Sequence, residues 1–173
     1  SLLIALLAGL SPLDQARPCY HPGGIVPAGN FVDLRFKELA MHDWDIRSQL
    51  EPEAHILPAS LPSIILLISS SVASGSLPWG FWPGPGLAST VRYRFDVGAP
   101  VPFNAEIAVE GDKARLELSV EGSADVTFRC DTGTFALLMY GRLASEQAVA
   151  EGWLAVEGNA DLAAQFSQWF KGI

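Results

Sequence analysis

The sequence predicts an α+β protein, with helices first and a mainly antiparallel sheet carrying its own helices second. Three observations predict it. Residues 35–45 carry neither Gly nor Pro, and residues 61–73 form an apolar run long enough for a buried helix. Residues 91–97, Val-Arg-Tyr-Arg-Phe-Asp-Val, are apolar at every second position, the period of a half-buried strand. Between these halves, residues 76–86 read Ser-Leu-Pro-Trp-Gly-Phe-Trp-Pro-Gly-Pro-Gly, a density of breakers that marks a boundary. The expected organisation is a helical portion over 1–78, a linker over 79–86 and an α/β domain over 87–173.

In chain order, residues 1–10 read as the end of a helix and 11–30 as a turn-rich loop with Pro12, Pro18, Pro22, Gly23, Gly24, Pro27 and Gly29. Asn30 or Asp33 is placed to cap a helix reaching about Gln49. Pro52 and Pro58 separate it from the next, 61–73. Strands are expected over 90–97, 103–109, 113–120 and 124–130, with a hairpin turn at Glu110-Gly-Asp112. Asp131-Thr-Gly-Thr134 offers caps to an apolar helix over 134–140, and 145–150 forms a short one. A further strand over 153–157 precedes a last amphipathic helix, 162–170, opened by Asn159 or Asp161, with Leu162, Phe166, Trp169 and Phe170 on one side.

Composition narrows the function classes. The chain has 173 residues, 49% of them hydrophobic, which is enough to bury a core. A net charge of −8 with 11 scattered Lys and Arg argues against nucleic acid as a partner. The apolar runs at 1–10 and 61–72 are too short to span a bilayer, and neither follows a basic segment, so no membrane association is expected. Cys19 and Cys130 form no CxxC pair and fit a reducing, cytoplasmic setting. The chain starts inside an apolar segment without Met, which suggests that residues preceding Ser1 are absent.

Chemistry concentrates in the helix over 35–45. Glu38 and His42 lie four residues apart and project from one face, so the pair can share a divalent cation. Two ligands are one fewer than a catalytic zinc site normally takes from the protein. His21, His55 and the flanking Asp43 and Asp45 are the nearby polar candidates, Asp45 or Asp43 as an acceptor orienting an imidazole. Arg92 and Arg94, on one strand face, are expected to meet acidic residues on neighbouring strands. Trp79, Phe81 and Trp82 are expected to pack the junction. No phosphate loop, nucleophile elbow or dinucleotide fingerprint is present.

The stretch Leu34-Arg-Phe-Lys-Glu-Leu-Ala-Met-His-Asp-Trp-Asp-Ile46 resembles the ligand-bearing helix of the mycothiol-dependent maleylpyruvate isomerase family, whose N-terminal domain is a DinB-like helical bundle. Residues 124–128, 137–143 and 156–163 resemble the sterol-carrier-like C-terminal domain of that family. The resemblance implies that Glu38 and His42 are metal ligands, zinc above all, with a third histidine on an earlier helix that this sequence lacks. It implies an incomplete bundle, completed by a homodimer or another chain. It also implies Arg142 as the catalytic residue, a fixed guanidinium opposite developing negative charge. Mycothiol or a related small thiol would be the cofactor, adding as thiolate to an electrophilic substrate in isomerisation or S-transfer. The alternative is a non-catalytic module that holds an apolar ligand between sheet and helices, with Phe128, Phe135, Leu138, Met139, Trp153 and Phe166 as lining, or a dimeric remnant that has lost its metal site.

Overall fold

A computed structural model describes residues 2–21, 24–51, 53–74, 81–82, 87, 89–118 and 122–172. Helix α1 (Leu2–Ala8) leads into the segment over 11–30, where a turn-rich loop was expected. The segment is ordered locally instead. Ser11 and Asp14 form a capping box, with Pro12 in the first turn, and start the short helix α2 (Pro12–Gln15). Strands β1 (Pro18–His21) and β2 (Gly24–Pro27) then pair antiparallel, Tyr20 opposite Ile25. The expectation failed because Pro and Gly density was read as loop, whereas the runs Cys-Tyr-His and Ile-Val hold good strand formers.

Helix α3 (Phe31–Arg47) follows a 3-10 turn over Ala28–Asn30. Neither expected cap acts as one: Asn30 is itself helical and makes no capping bond, and Asp33 accepts from Ser63 Oγ at 2.7 Å. Ser63 belongs to α4 (Leu61–Ser74), so this bond ties the two helices together. Trp44 Nε1 donates to the Ala54 carbonyl at 3.0 Å and Arg47 Nη2 to the His55 carbonyl at 2.6 Å, which folds the connection back onto α3.

Among the described residues the main sheet has the order β5-β4-β3-β6-β7. Its strands are β3 (Val91–Val97), β4 (Phe103–Glu110), β5 (Lys113–Glu117), β6 (Val126–Cys130) and β7 (Ala155–Gly158). β3 and β6 run parallel and every other pairing is antiparallel, as the mixed α+β reading anticipated. The final two residues of the strand expected over 113–120 lie outside the described residues, as do residues 79–80 and 83–86 of the expected linker. β6 starts two residues late because the Asp125 carboxylate accepts from the Arg92 backbone N–H at 2.8 Å. β7 is likewise displaced from 153–157: the N–H groups of Trp153 and Leu154 close the end of α6 (Ser145–Ala150) on the Ala148 carbonyl.

Helices α5 (Thr132–Met139) and α7 (Ala160–Trp169) belong to the same core as the inner sheet face. Their N-terminal signals were legible: Asp131 Oδ1 accepts from Thr134 N–H, and Asn159 Oδ1 from the N–H groups of Asp161 and Leu162. The alternation of β3 sends Val91, Tyr93, Phe95 and Val97 inward. Ile64, Ile65 and Ile68 of α4 join them, so one apolar core runs from the helical portion into the sheet. On the outer face Glu106, 1% exposed, is held by Arg92 and, at 3.3 Å, Arg94. Arg129 pairs with Asp96 and Glu157. These are the acidic partners that strand pairing predicts for the arginines.

Candidate functional site

Two places carry functional potential: the aromatic layer beneath the sheet, and a polar cluster where α3 meets the end of α5. The aromatic layer is built by periodicity alone. Tyr93 and Phe95 of β3 and Phe128 of β6 point inward from paired positions, since Phe95 is in register with Phe128. Phe166 of α7 meets Tyr93, Phe95 and Phe128 edge-on at 5.1, 5.5 and 5.3 Å between ring centroids, and stacks on Phe170 at 4.4 Å. Phe135 of α5 completes the layer against Phe95 and Phe103, both at 5.1 Å. The structure therefore brings together Phe128, Phe135, Leu138, Met139 and Phe166, all buried, as the alternative reading of the sequence supposed. Trp153 packs against the edge of this core and faces His55, with 5.1 Å between ring centroids.

Polar groups in the layer are tied off. Tyr93 Oη donates to the Leu162 carbonyl at 3.1 Å, and burial, with Asp125 adding, pushes its phenol up to about 12. Cys130 is pushed up to about 12 by burial and by Asp131, so it is an inert thiol at neutral pH. Phe81 lies on Trp169 at 5.7 Å, and Trp82 donates to the Trp169 and Gly172 carbonyls at 2.8 and 2.9 Å. These two linker aromatics pack on the end of α7, and among the described residues their ring contacts and hydrogen bonds run to that end and not to the helical portion.

Sequence reasoning placed Glu38, His42 and Arg142 in one site, and the structure does bring them together. Arg142 is positioned by the end of α5. Gly141 takes φ +64°, its N–H reaches the Leu138 carbonyl at 3.1 Å, and the Arg142 N–H reaches that of Leu137 at 2.9 Å. This is a Schellman ending, and it throws the Arg142 side chain back toward α3. No larger residue fits, because a Cβ on Gly141 would sit 2.2 Å from the backbone of Lys171 and Gly172. The guanidinium then donates Nε and Nη2 to the two carboxylate oxygens of Asp45 at 3.2 and 3.4 Å, and Nη1 to the Tyr140 carbonyl at 3.1 Å.

Asp45 also accepts from His42 Nδ1 at 3.1 Å, which turns Nε2 toward Glu38 Oε2, 3.5 Å away. With Nδ1 donating, a neutral imidazole would aim its Nε2 lone pair at a carboxylate oxygen. The geometry therefore suits a proton or another cation between the two. Burial raises the Glu38 carboxyl, but Lys37, bonded to it at 2.5 Å, and then His42 and Arg35 outweigh burial and hold it below its ordinary value. Lys37 is itself buried and sits 5.4 Å over the Tyr140 ring. Burial, with Glu38 adding and Arg142 opposing, keeps the Tyr140 phenol protonated.

As a metal centre, the set falls short among the described residues. Asp45 is engaged with Nδ1 and Arg142, which leaves Glu38 and His42 as two donors. Among the described residues no group of three or more His, Cys, Asp or Glu is placed to hold a metal ion. His21 faces Phe31 and His55 faces Trp153, so neither joins Glu38. Sequence reasoning missed Lys37 and Tyr140. A lysine next to a glutamate on a helix gives no sign of which one is buried.

No curated protein matches the chain. Among solved structures it is similar to an apo sterol carrier protein 2 from Yarrowia lipolytica, at 18% identity and TM-score 0.36 over 44% of this chain and 63% of that one. It is similar to a sterol carrier protein-2 like-3 from Aedes aegypti, at 13% identity and TM-score 0.40 over 62% and 92%. It is also similar to the sec-alkylsulfatase Pisa1 from Pseudomonas, at 14% identity and TM-score 0.41 over 49% and 13%. The chain thus spans 63% of the Yarrowia protein and about an eighth of the sulfatase. The matched family model begins after Glu38 and His42 and includes Arg142 and the whole aromatic layer: residues 88–171 match the SCP-2 sterol transfer family.

Proposed function

We propose that this chain is a non-catalytic carrier whose domain over 88–171 holds an apolar ligand between the inner sheet face and helices α5 and α7. The observation that carries the reading is the coincidence of the SCP-2 sterol transfer family match with an inner sheet face made of aromatic and aliphatic side chains. The layer is closed: Phe128 and Phe135 are fully buried and Phe166 is 1% exposed. A ligand must displace side chains as it enters, so binding is coupled to loosening of α7. A cytosolic setting is supported by the two free thiols, Cys19 and Cys130. No helix among the described residues is long and apolar enough to cross a membrane.

The test is titration of the full chain with a fluorescent sterol and a fluorescent fatty acid, followed by displacement with unlabelled ligand. The expected result is saturable, competitive binding with one equivalent of either probe. Signal that rises linearly to the solubility limit for both probes would overturn the carrier reading.

The Glu38–His42 pair favours a second reading. The metal- and mycothiol-dependent isomerase or S-transferase implied by the helix over 34–46 would require a third donor beyond the two that the described residues supply. Its check is zinc content: near one equivalent in the wild type, absent after His42→Ala, supports a metal centre, and none in either removes it.

A further inference from the structure

The inner sheet face is covered from two directions. On its β6–β7 side the cover is α7, and on its β5 side it is α4, which also packs along α5. Strand register shows what lies beneath α4. Ile107 is opposite Tyr93 and Leu116 opposite Ile107, while Val109 is opposite Val91 and Ala114 opposite Val109. Opposed residues share a face, so these four point inward with Tyr93 and Val91, and all four are buried. This half of the face is aliphatic where the other is aromatic. α4 matches it in chemistry: no residue of Leu61–Ser74 is charged, Ile64, Ile65 and Ile68 are buried, and Leu66 on the other side is 59% exposed. Yet α4 lies outside residues 88–171, so the β4–β5 side of the matched domain is closed by a segment from elsewhere in the chain.

The two covers are fastened differently. α7 is tied by polar bonds: Tyr93 Oη donates to the Leu162 carbonyl, Ser145 Oγ to the Ala163 carbonyl at 3.0 Å, and the Ser145 N–H to Ser167 Oγ at 2.6 Å. Its rings also interlock with those of the sheet, so α7 can loosen around a ligand but not leave. Among the described residues the hydrogen bond from α4 to another element runs to α3, from Ser63 Oγ to Asp33, and α4 brings apolar side chains to the core. α3 and α4 thus form one unit, fastened to the domain by polar groups at α3, where Asp45 holds Arg142 and Lys37 lies over the Tyr140 ring. Apolar contact is what an apolar ligand supplies equally well, so exchanging α4 for ligand leaves the sheet face covered. Resting on the carrier reading, we propose that α4 is an intramolecular competitor of the ligand: the two take the β4–β5 side of the inner face in turn, and ligand enters as α4 and α3 swing away together.

Spin labels read the movement in the full chain. In a Cys19→Ser/Cys130→Ala background, labels at Leu66→Cys on α4 and Lys113→Cys on the outer face of β5, both exposed, should report one distance before ligand is added and a longer one with saturating cis-parinaric acid. Labels at Gln168→Cys, exposed on α7, and Lys113→Cys should keep their distance. Affinity gives an independent reading. Ile68→Val removes one methylene from the packing of α4 and should lower the apparent Kd for the same probe by about two- to tenfold, because apparent affinity scales with the fraction of chains already open. A purely structural α4 would leave that Kd unchanged or raise it, and either result overturns the inference. Saturable binding with the 66–113 distance fixed, or with the 168–113 distance growing as much, overturns it too and leaves the carrier reading standing. Failure of both the wild type and Ile68→Val to bind the probe saturably removes the carrier reading and this inference with it.

Discussion

The two halves of the chain treat apolar side chains in opposite ways. In the sterol-carrier domain, strand alternation and the amphipathic α7 send every large aromatic of the inner layer inward, so Tyr93, Phe95, Phe128, Phe135 and Phe166 are buried. In the helical portion α3 keeps Leu39 and Ile46 outside, and Leu50, just past its end, is exposed as well. The same residue chemistry is spent on a closed core in one half and on an open face in the other. A closed core holds a fold, or a ligand that pries it apart; side chains on an open face add little to the stability of the single chain. The sharpest way to break this contrast is a matched pair of truncations. Phe166→Ala removes a ring that touches four other rings and should cost about 3–5 kcal/mol in urea unfolding. Leu39→Ala, at 69% exposure, should stay within about 0.5 kcal/mol at concentrations where the chain is monomeric. Similar costs at the two sites would mean that α3's outer face is packed in solution even in the monomer.

The contrast extends to charge. Glu106 lies under Arg92 and Arg94 on the outer sheet face and is 1% exposed, whereas Glu38 stands on an open helix. Glu106→Ala leaves Arg94 half-buried without its counter-ion and should lower stability by about 2–3 kcal/mol, less than a fully enclosed pair because Arg92 reaches water. Glu106→Leu should recover part of the loss by filling the volume; no recovery would place the whole effect in the charges.

How much of this was legible in the sequence depends on which interactions set each feature. Strand alternation over 91–97 and the caps at Asp131 and Asn159 are local, and local patterns fixed those elements to within a residue or two. The hairpin over 18–27 was missed because its signal is two short runs on either side of a Pro-Gly pair in the sequence, easily outweighed by Pro and Gly counts. The meeting of Glu38 and His42 with Arg142 was anticipated through a family likeness. The contact that makes it, Arg142 to Asp45 across 97 residues, has no local signature. Lys37 was invisible for the same reason: only the packing of Tyr140 against α3 determines that it is buried.

Alkaline pH sharpens the comparison next, because the groups raised by burial all sit in the sterol-carrier half. Cys130 and Tyr93 both titrate near about 12, against ordinary values of 9.0 and 10.0, and Tyr140 is raised as well. A raised folded value means that the unfolded chain releases its proton first. Stability from these groups is therefore complete below about pH 9 and falls between about 9 and 12. Each group adds up to about 1.4 kcal/mol per pH unit within its own window. Cys130→Ala should flatten the first part of that decline in urea midpoints measured between pH 8.5 and 10.5. An unchanged slope would show that the thiol is open to water.

The smallest effect tests whether the two halves are coupled through the polar cluster or only lie side by side. Asp45 joins them, accepting from His42 on its own helix and from Arg142 at the end of α5. Asp45 and Arg142 are about one-third and one-fifth exposed, so solvent weakens the pair, and its coupling should be on the order of 0.5–1 kcal/mol. A double-mutant cycle of Asp45→Ala and Arg142→Ala isolates that value from the packing each side chain supplies. Asp45→Ala should also release the His42 ring, which NMR would see as a shift in the imidazole tautomer balance at fixed pH. Arg142→Ala alone should leave the ring in place, because Asp45 still accepts from Nδ1. If both variants shift the tautomer equally, Arg142 orients the histidine through Asp45, and the cluster acts as one unit across the two halves. If the coupling energy is zero and only Asp45→Ala moves the ring, the helical portion is held to the domain over 88–171 by contacts other than this ion pair, the Lys37–Tyr140 and apolar contacts among them.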